Sequence, residues 1–281
     1  MGKAFEIGKP YRTARLAARG GLAEVYQAEN ELGQAVAIKR LHPHLWFDRA
    51  QREKFLREIP ILRSIDWPQI PALLDASITE EEAYFVMPWE AGEPFAQFRD
   101  RISSSVEKEK FAVLALRSLL ATLNYLQALP SAEAGLPGLV HADLNPNNLL
   151  VTNQGEVTVL DFSCAVWLAE KKGYHGGTWG YMPVAQIKKE TVSLQSDLFA
   201  AGALFAELLC GKRLFGGDTT FEIFRSTYDF QSRHLNLSSD PGIRDVLSKL
   251  FEGTGNPSET TAQLIACLDS RLSAKQDYFF R

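Results

Sequence analysis

His141-Ala142-Asp143-Leu144-Asn145-Pro146-Asn147-Asn148 runs directly into the apolar Leu149-Leu150-Val151. Asp143 and Asn148 stand five residues apart in a proline-containing loop before a strand. That spacing sets a base beside a metal ligand. Asp161-Phe162 follows the next apolar run, Val157–Leu160. An Asp at a strand end, aimed at the same loop, holds a hard cation such as Mg²⁺ through oxygen ligands. The plain alternative is a loop of Asx turns and a helix cap. Such a loop does not usually also carry His, Asp, Asn and a second Asp at these intervals.

The chain has a different texture on either side of this loop. Leu149–Thr152 and Val157–Leu160 read as strands around a turn at Asn153–Gly155. Upstream, Val106–Leu129 reads as a long helix with Leu116, Leu119, Leu120, Leu123 and Leu126 along one side, ended by Pro130. Further upstream the chain is strand-rich. Glu24–Ala28 and Ala35–Lys39 flank a hairpin turn at Asn30–Gly33, and two more strands fall around Ala72–Ile78 and Ala83–Trp89. Between these pairs, Asp48–Ile65 places Phe55, Ile59 and Leu62 at helical spacing behind an Asp48 N-cap. From Leu194 onward the pattern is helical, with loops at Gly211–Asp218 and Gly253–Pro257. The expected fold is α+β in two lobes, a small antiparallel β-rich lobe over 11–90 and a larger α-helical lobe over 91–270. They join near 87–91, and a tail covers 271–281. A cleft between two lobes is a common ligand site.

A length of 281 residues suits one or two domains. With 46% hydrophobic and 23% charged residues, the composition excludes disordered, collagen-like and coiled-coil chains. The net charge of −4 argues against a globally basic nucleic-acid binder. Cys164, Cys210 and Cys267 form no CxxC, which fits a reducing compartment rather than a disulfide framework. Val113–Leu129 is interrupted by Arg117 and Asn124, and Leu198–Cys210 is short and carries Glu207. Neither reaches the ~18 uninterrupted apolar residues of a membrane span. Met1–Pro10 has no apolar signal core. The expectation is a soluble, cytoplasmic protein with no membrane or nucleic-acid partner.

Two further features stay open when read alone. Gly20-Gly21 is either a hairpin turn or a place where backbone N–H groups approach an anion. Lys39, ending an apolar strand, is either an edge residue snorkelling to solvent or a buried cation paired with Glu58. His42 and His44, around Pro43, read as turn residues, since no Cys or His partner set lies nearby. Cys164 reads as a small packed residue. Tyr278–Phe280 reads as a segment that docks on the large lobe or on a partner.

The ordered set of motifs resembles a protein kinase. That template asks for a glycine loop, V-A-I-K, a helix Glu, H-R-D-x-x-x-x-N, D-F-G and A-P-E. The chain carries Val36-Ala37-Ile38-Lys39, Glu58, His141-x-Asp143-x-x-x-x-Asn148 and Asp161-Phe162 in that order. Gly177-Thr178-Trp179-Gly180-Tyr181-Met182 is similar to the GTxxYM segment of Ser/Thr kinases. Ser196-Asp197-Leu198-Phe199-Ala200-x-Gly202, with Glu207 and Gly211, is similar to the central helix of the large lobe. From about Tyr11 to Leu268 the chain resembles a eukaryotic-like (Hanks-type) Ser/Thr protein kinase of the bacterial style, with divergent motifs.

The resemblance implies roles. Lys39 would hold the α- and β-phosphates of ATP and Glu58 would hold Lys39. Asp143 would accept the substrate hydroxyl proton, and Thr178 would help present a Ser or Thr hydroxyl. Asn148 and Asp161 would bind Mg²⁺, or Mn²⁺ in its place. Ala18, Gly20, Gly21, Val25, Ala37 and Leu150 would line the nucleotide. Met87 would be the gatekeeper and Pro88-Trp89-Glu90 the hinge that meets adenine through backbone groups.

The departures from the family are equally specific. The G-x-G-x-x-G positions read Ala18-Arg19-Gly20-Gly21-Leu22-Ala23, which implies weaker ATP binding. Asn145 stands where protein kinases usually carry Lys, and loss of that charge slows transfer by roughly 10²–10³ by analogy with an oxyanion donor. A lysine restored at 145 is expected to leave transfer intact or raise it. Ala142 replaces the Arg that reads a phosphorylated activation loop, so activation without loop phosphorylation is implied. Ser163 replaces the D-F-G glycine. Pro183-Val184-Ala185 replaces A-P-E, and 256–262 lacks the Arg that pairs with its Glu; a loss on both sides reads as compensated, because only a single loss leaves a buried charge alone. The leading reading is an ATP- and Mg²⁺-dependent kinase acting on a protein hydroxyl. The alternatives are a nucleotide-binding pseudokinase serving as an interaction module, and a small-molecule phosphotransferase, because 141–148 also resembles the HGDLHPGN loop of aminoglycoside kinases.

Overall fold

The computed structural model describes residues 11–131, 137–168, 176–190, 192–232, 237–238, 240–253 and 256–274. Tyr278–Phe280 lie outside the described residues. The chain divides into two compact units. One comprises the chain up to Ala91 together with Asp161–Ser163, and the other comprises Gly92–Leu160 and the chain from Cys164 on.

The first unit contains β1 (Arg12–Arg19), β2 (Ala23–Glu29), β3 (Ala35–Leu41), α1 (Arg49–Arg63), β4 (Asp75–Ile78) and β5 (Ala83–Pro88). The strands form one antiparallel sheet in the order β1-β2-β3-β5-β4. The β2–β3 turn forms where the sequence places it. The Asn30 side chain accepts the N–H groups of Leu32 and Gln34, and Gly33 takes the left-handed φ of 73° that glycine tolerates. Strand β4 starts later than the sequence suggests, although Leu74 N–H already bonds Val86 O.

Register decides what this sheet presents. Val25 lies opposite Lys39, and Gln27 lies opposite Ala37. Lys39 lies opposite Phe85, and Ala37 opposite Met87. Residues opposite one another share a face, so Val25, Ala37, Lys39, Phe85 and Met87 line one side. The other side is a core of Tyr26, Ala28, Val36, Ile38 and Val86, with Tyr11 and Tyr84 packed against it.

Helix α1 starts where Asp48 accepts the N–H groups of Ala50 and Gln51. Pro60 forfeits one N–H within the helix, yet burial of Ile59, Ile61 and Leu62 carries the helix on to Arg63. The Phe55 ring meets Phe85 with centroids 5.4 Å apart. That contact seats α1 on the Lys39 side of the sheet and brings Glu58, one turn on, to the lysine.

The second unit contains β6 (Glu93–Pro94), α2 (Phe95–Arg101), α3 (Ser105–Ala128), β7 (Leu139–Val140), β8 (Leu149–Val151), β9 (Val157–Val159) and β10 (Val166–Trp167). It continues with α4 (Val184–Ile187), α5 (Leu194–Cys210), α6 (Thr220–Tyr228), α7 (Pro241–Glu252) and α8 (Pro257–Ala274). Its small sheets are β6-β8-β9 and β7-β10. The β8–β9 hairpin turns at Gly155, whose φ is 81°. Helix α5 is the hub, with Ser196 through Leu208 buried. It is closed at one end by a Ser193–Ser196 capping box and at the other by Gly211 at φ 72°. Helix α8 runs to Ala274, so the tail assigned to 271–281 begins as helix.

Helix α3 contains the apolar stretch Val113–Leu129 as far as Ala128. It is long and apolar enough to cross a membrane by length and composition. Its Leu116, Leu119, Leu120, Leu123 and Leu126 are buried, and the helix packs against α5 and α8. The interruptions at Arg117 and Asn124 do not lower its hydropathy below that of a span.

Candidate active site

In the first unit, Lys39 is a buried cation, and the snorkelling alternative falls. Its Nζ lies 2.7 Å from Glu58 Oε2 and 2.8 Å from Asp161 Oδ1. Lys39 is 6% exposed and Glu58 1%. Glu58 also accepts the Phe162 N–H at 3.0 Å, and Asp161 Oδ1 accepts the Ser163 N–H at 3.1 Å. Asp161 adopts φ 61°, a left-handed conformation unusual for a side-chain-bearing residue. Two carboxylates thus share one ammonium. Burial opposes charge on Lys39, but Glu58 and Asp161 outweigh it and hold the ammonium above its ordinary range. Burial pushes the Glu58 carboxyl up to about 7 against the pull of Lys39. Burial pushes Asp161 the same way, but Lys39 and the Ser163 N–H hold it well below the carboxylate range.

The Gly20-Gly21 stretch is a turn here. Gly20 N–H donates to Ala23 O at 2.9 Å, and the His42 ring nitrogen Nε2 lies 2.7 Å from Gly20 O. His42 is therefore an anchor of this turn. Along the proposed hinge, Trp89 N–H donates to Ala35 O at 3.1 Å, and Pro88 has no N–H. The Trp89 amide is thus spent inside the sheet rather than offered to adenine. Among the other residues assigned to the nucleotide, Ala18 lies near the end of β1 opposite Val25, and Val25, Ala37 and Met87 share the Lys39 face. Leu150 belongs to the second unit, in β8.

In the second unit, Asp143 sits within a net of donors. Thr178 Oγ1 donates to Asp143 Oδ1 at 2.7 Å. Asn145 Nδ2 reaches Asp143 Oδ1 at 3.1 Å, Asp143 O at 3.0 Å and Thr178 Oγ1 at 3.1 Å. Asn148 Nδ2 donates to Asp143 O at 2.9 Å and approaches Oδ2 at 3.5 Å. The Asn145 side-chain oxygen accepts Asn147 N–H at 2.9 Å. The expected Asx turn is therefore present, and it frames the chemistry instead of replacing it. Among the described residues, Asp143 Oδ2 has only the long Asn148 approach.

The loop hangs on α5. Asp197, 3% exposed, accepts His141 N–H and Ala142 N–H, each at 2.8 Å. Burial raises the Asp197 pKa against these two amides and His141. His141 Nε2 lies 2.9 Å from Leu160 O, and Leu160 N–H donates to Asn148 O at 2.8 Å. The strand end before Asp161 is thereby tied to the loop.

Sequence reasoning missed an anchor. Tyr181 OH donates to Glu207 Oε2 at 2.6 Å, and Glu207 also pairs with Arg99. This link fastens the segment carrying Thr178 to α5 and α2 where the A-P-E glutamate and its arginine are both missing. The signal was Glu207, the charged residue within the apolar run Leu198–Cys210. Tyr181→Phe should lower stability by about 1.5–3 kcal/mol, the usual value for a hydrogen bond to a charged group, read from the urea midpoint. An unchanged midpoint would remove the anchor from this account.

The first unit carries a lysine–glutamate–aspartate triad and the second an amide-framed aspartate, the residue types of a kinase-class phosphotransferase. The protein kinase domain family matches residues 11–275, and the chain belongs to that family. It is 32% identical over 228 residues to a probable serine/threonine-protein kinase of Streptomyces coelicolor, covering 76% of this chain and 32% of that protein. It is 31% identical to the DNA damage-responsive serine/threonine-protein kinase RqkA of Deinococcus radiodurans, covering 86% of this chain and 36% of RqkA. It is 32% identical to the serine/threonine-protein kinase PknA of Mycobacterium tuberculosis, covering 84% of this chain and 55% of PknA. The chain thus spans between about a third and just over half of these relatives. By its family it is a protein kinase domain.

Proposed function

We propose that this domain transfers the γ-phosphoryl group of ATP to a Ser or Thr hydroxyl of a protein, and does so without activation-loop phosphorylation. The observation that carries the reading is the 2.7 Å hydrogen bond from the Thr178 hydroxyl to Asp143 Oδ1. It shows an alcohol already donating to the carboxylate, with the second oxygen open for the acceptor. In the reaction the acceptor hydroxyl gives its proton to Asp143, its oxygen bonds Pγ, and the bond from Pγ to the β-phosphate oxygen breaks to release ADP.

The donor sets fit ATP and Mg²⁺. Lys39 is a charged donor held by Glu58. The Asp161 carboxylate and the Asn148 side-chain oxygen are oxygen ligands of the kind Mg²⁺ takes, and Asn148 spends its Nδ2 rather than its oxygen on Asp143. Bound Mg²⁺–ATP supplies the phosphoryl group and neutralises charge on it. Ala142 carries no cation to read a phosphate, which supports independence from loop phosphorylation. The free cysteines Cys164, Cys210 and Cys267 support action inside the cell, and the net charge of −4 supports a protein rather than a nucleic-acid acceptor.

Asn145 tests the reading most directly, because its amide touches both Asp143 and Thr178. Asn145→Ala should lower kcat by about 10²-fold, the scale of one lost transition-state donor. Asn145→Lys should match or exceed wild type, since an ammonium donates to the same oxygens and adds charge. Phosphate incorporation into a generic protein acceptor measures both. A sharp loss in the lysine variant would overturn this account of position 145.

A further inference from the structure

We propose that Gln186 is a positioning residue of phosphoryl transfer, a phosphate-free staple that fixes the Ala142 peptide and thereby aims Asp143. The inference rests on the kinase reading above. Gln186 is 5% exposed. Its Nε2 donates to Ala142 O at 2.7 Å and to Gly176 O at 3.1 Å. One side-chain amide thus ties the carbonyl next to the catalytic aspartate to the segment leading into Thr178.

Ala142 explains why such a tie matters. Its φ is 64°, a left-handed value that a residue with a Cβ rarely adopts. Strained backbone of this kind persists only where its surroundings over-determine it. Here the peptide is gripped at both ends. Asp197 takes the Ala142 N–H at 2.8 Å and Gln186 takes the Ala142 carbonyl. Remove one grip and the residue relaxes toward negative φ, turning Asp143 with it. The staple also has a dedicated seat. Gly177 lies at φ 114°, and a Cβ there would stand 2.7 Å from Gln186 Nε2. Every partner in this link is an uncharged amide or carbonyl. It therefore joins the catalytic loop to the segment beyond 175 with no phosphate and no arginine at 142.

The test compares wild type, Gln186→Met and the double variant Gln186→Met/Ala142→Gly, measuring kcat, KM for ATP and thermal midpoint. Methionine keeps the length and removes both donors. Gln186→Met should lower kcat by about 10²-fold, the scale of a small misplacement of a catalytic group, with KM for ATP unchanged. Glycine at 142 takes a left-handed φ freely, so the double variant should regain about tenfold of the lost kcat, the rate equivalent of the left-handed penalty. A merely structural glutamine gives no such recovery. Wild-type kcat in Gln186→Met overturns the proposal. So does a loss that follows the thermal midpoint and is not recovered by glycine. Absence of transfer by wild type itself overturns the kinase reading, and this inference with it.

Discussion

Lys39→Met should reduce phosphate transfer to background and leave a protein whose stability deficit grows with pH. The kinetic half follows from the triad. Phosphoryl transfer is mostly positioning and charge neutralisation, and Lys39 is the one cation among the described residues shared by Glu58 and Asp161. Methionine fills a similar volume without charge, so the sheet face and the Phe55–Phe85 contact remain. What disappears is the ammonium meant for the phosphates and the tie that orients Asp161. Removing one partner of a buried ion pair costs about 3–5 kcal/mol, because the other charge is left without compensation.

The pH dependence has a definite sign. A carboxyl raised by folding contributes stability that is full below its unfolded pKa and fades as pH climbs through the folded value. A carboxyl lowered by folding contributes in the opposite sense and loses its share as pH falls. In the wild type Glu58 is of the first kind, raised by burial to about 7. Asp161 is of the second, lowered chiefly by Lys39 against its own burial. Without Lys39 the downward pull on both carboxyls vanishes. Burial then raises both, and each raises the other. Protonation relieves them in acid, so the gap between wild type and variant should be small at about pH 5 and several kcal/mol at about pH 8. Urea denaturation at both values measures it. An equal gap at the two would mean that the buried charges are not what Lys39 holds.

Much of this was legible in the residues, for reasons that differ by element. Helix α1 was readable to within a residue or two because Asp48 caps it and Phe55, Ile59 and Leu62 repeat at helical spacing. The β2–β3 hairpin was readable because Asn30 and Gly33 supply its turn chemistry. Strand β1 was harder, since its alternation is blurred by three arginines and exposed alanines. Helix α2 was missed, since it has only seven residues and a proline for its N-cap. In the site, residue types and spacing announced Asp143, Asn148 and Asp161, and the resemblance to protein kinases assigned Lys39 and Glu58. The contacts that hold these residues in place were not announced. Asp197, Gln186 and the Tyr181–Glu207 link act across separations that no local pattern encodes, and each is a buried polar side chain satisfied by a distant partner. Gly20-Gly21 was open on composition between a hairpin turn and an anion cradle, and in this structure the Gly20 N–H closes on Ala23 O as a turn.

Asp143→Asn should lower kcat by about 10²–10⁴-fold, the range for a lost general base, while ATP still protects the protein against heating. The substitution is chosen because the local net survives it. Asparagine keeps an oxygen to accept the Thr178 hydroxyl and Asn145 Nδ2, and the bonds from Asn145 and Asn148 to the 143 carbonyl do not involve the side chain. Asp197 still grips His141 and Ala142 from below. The fold and the loop therefore stay, and only proton acceptance is lost. Lys39→Met is the complementary lesion, since it removes the phosphate grip and leaves Asp143 untouched. Run side by side with ³²P label and thermal melts, the two variants separate the readings. Transfer in wild type that disappears in Asp143→Asn, with ATP protection retained, makes Asp143 the base. Transfer that survives Asp143→Asn yet fails in Lys39→Met would assign the proton to another acceptor and overturn the role given to the Thr178–Asp143 pair. No transfer in any form, with ATP still raising the wild-type melting temperature, would make the domain a nucleotide-binding pseudokinase. The intact triad and amide-framed aspartate would then be read as a fold preserved for a partner.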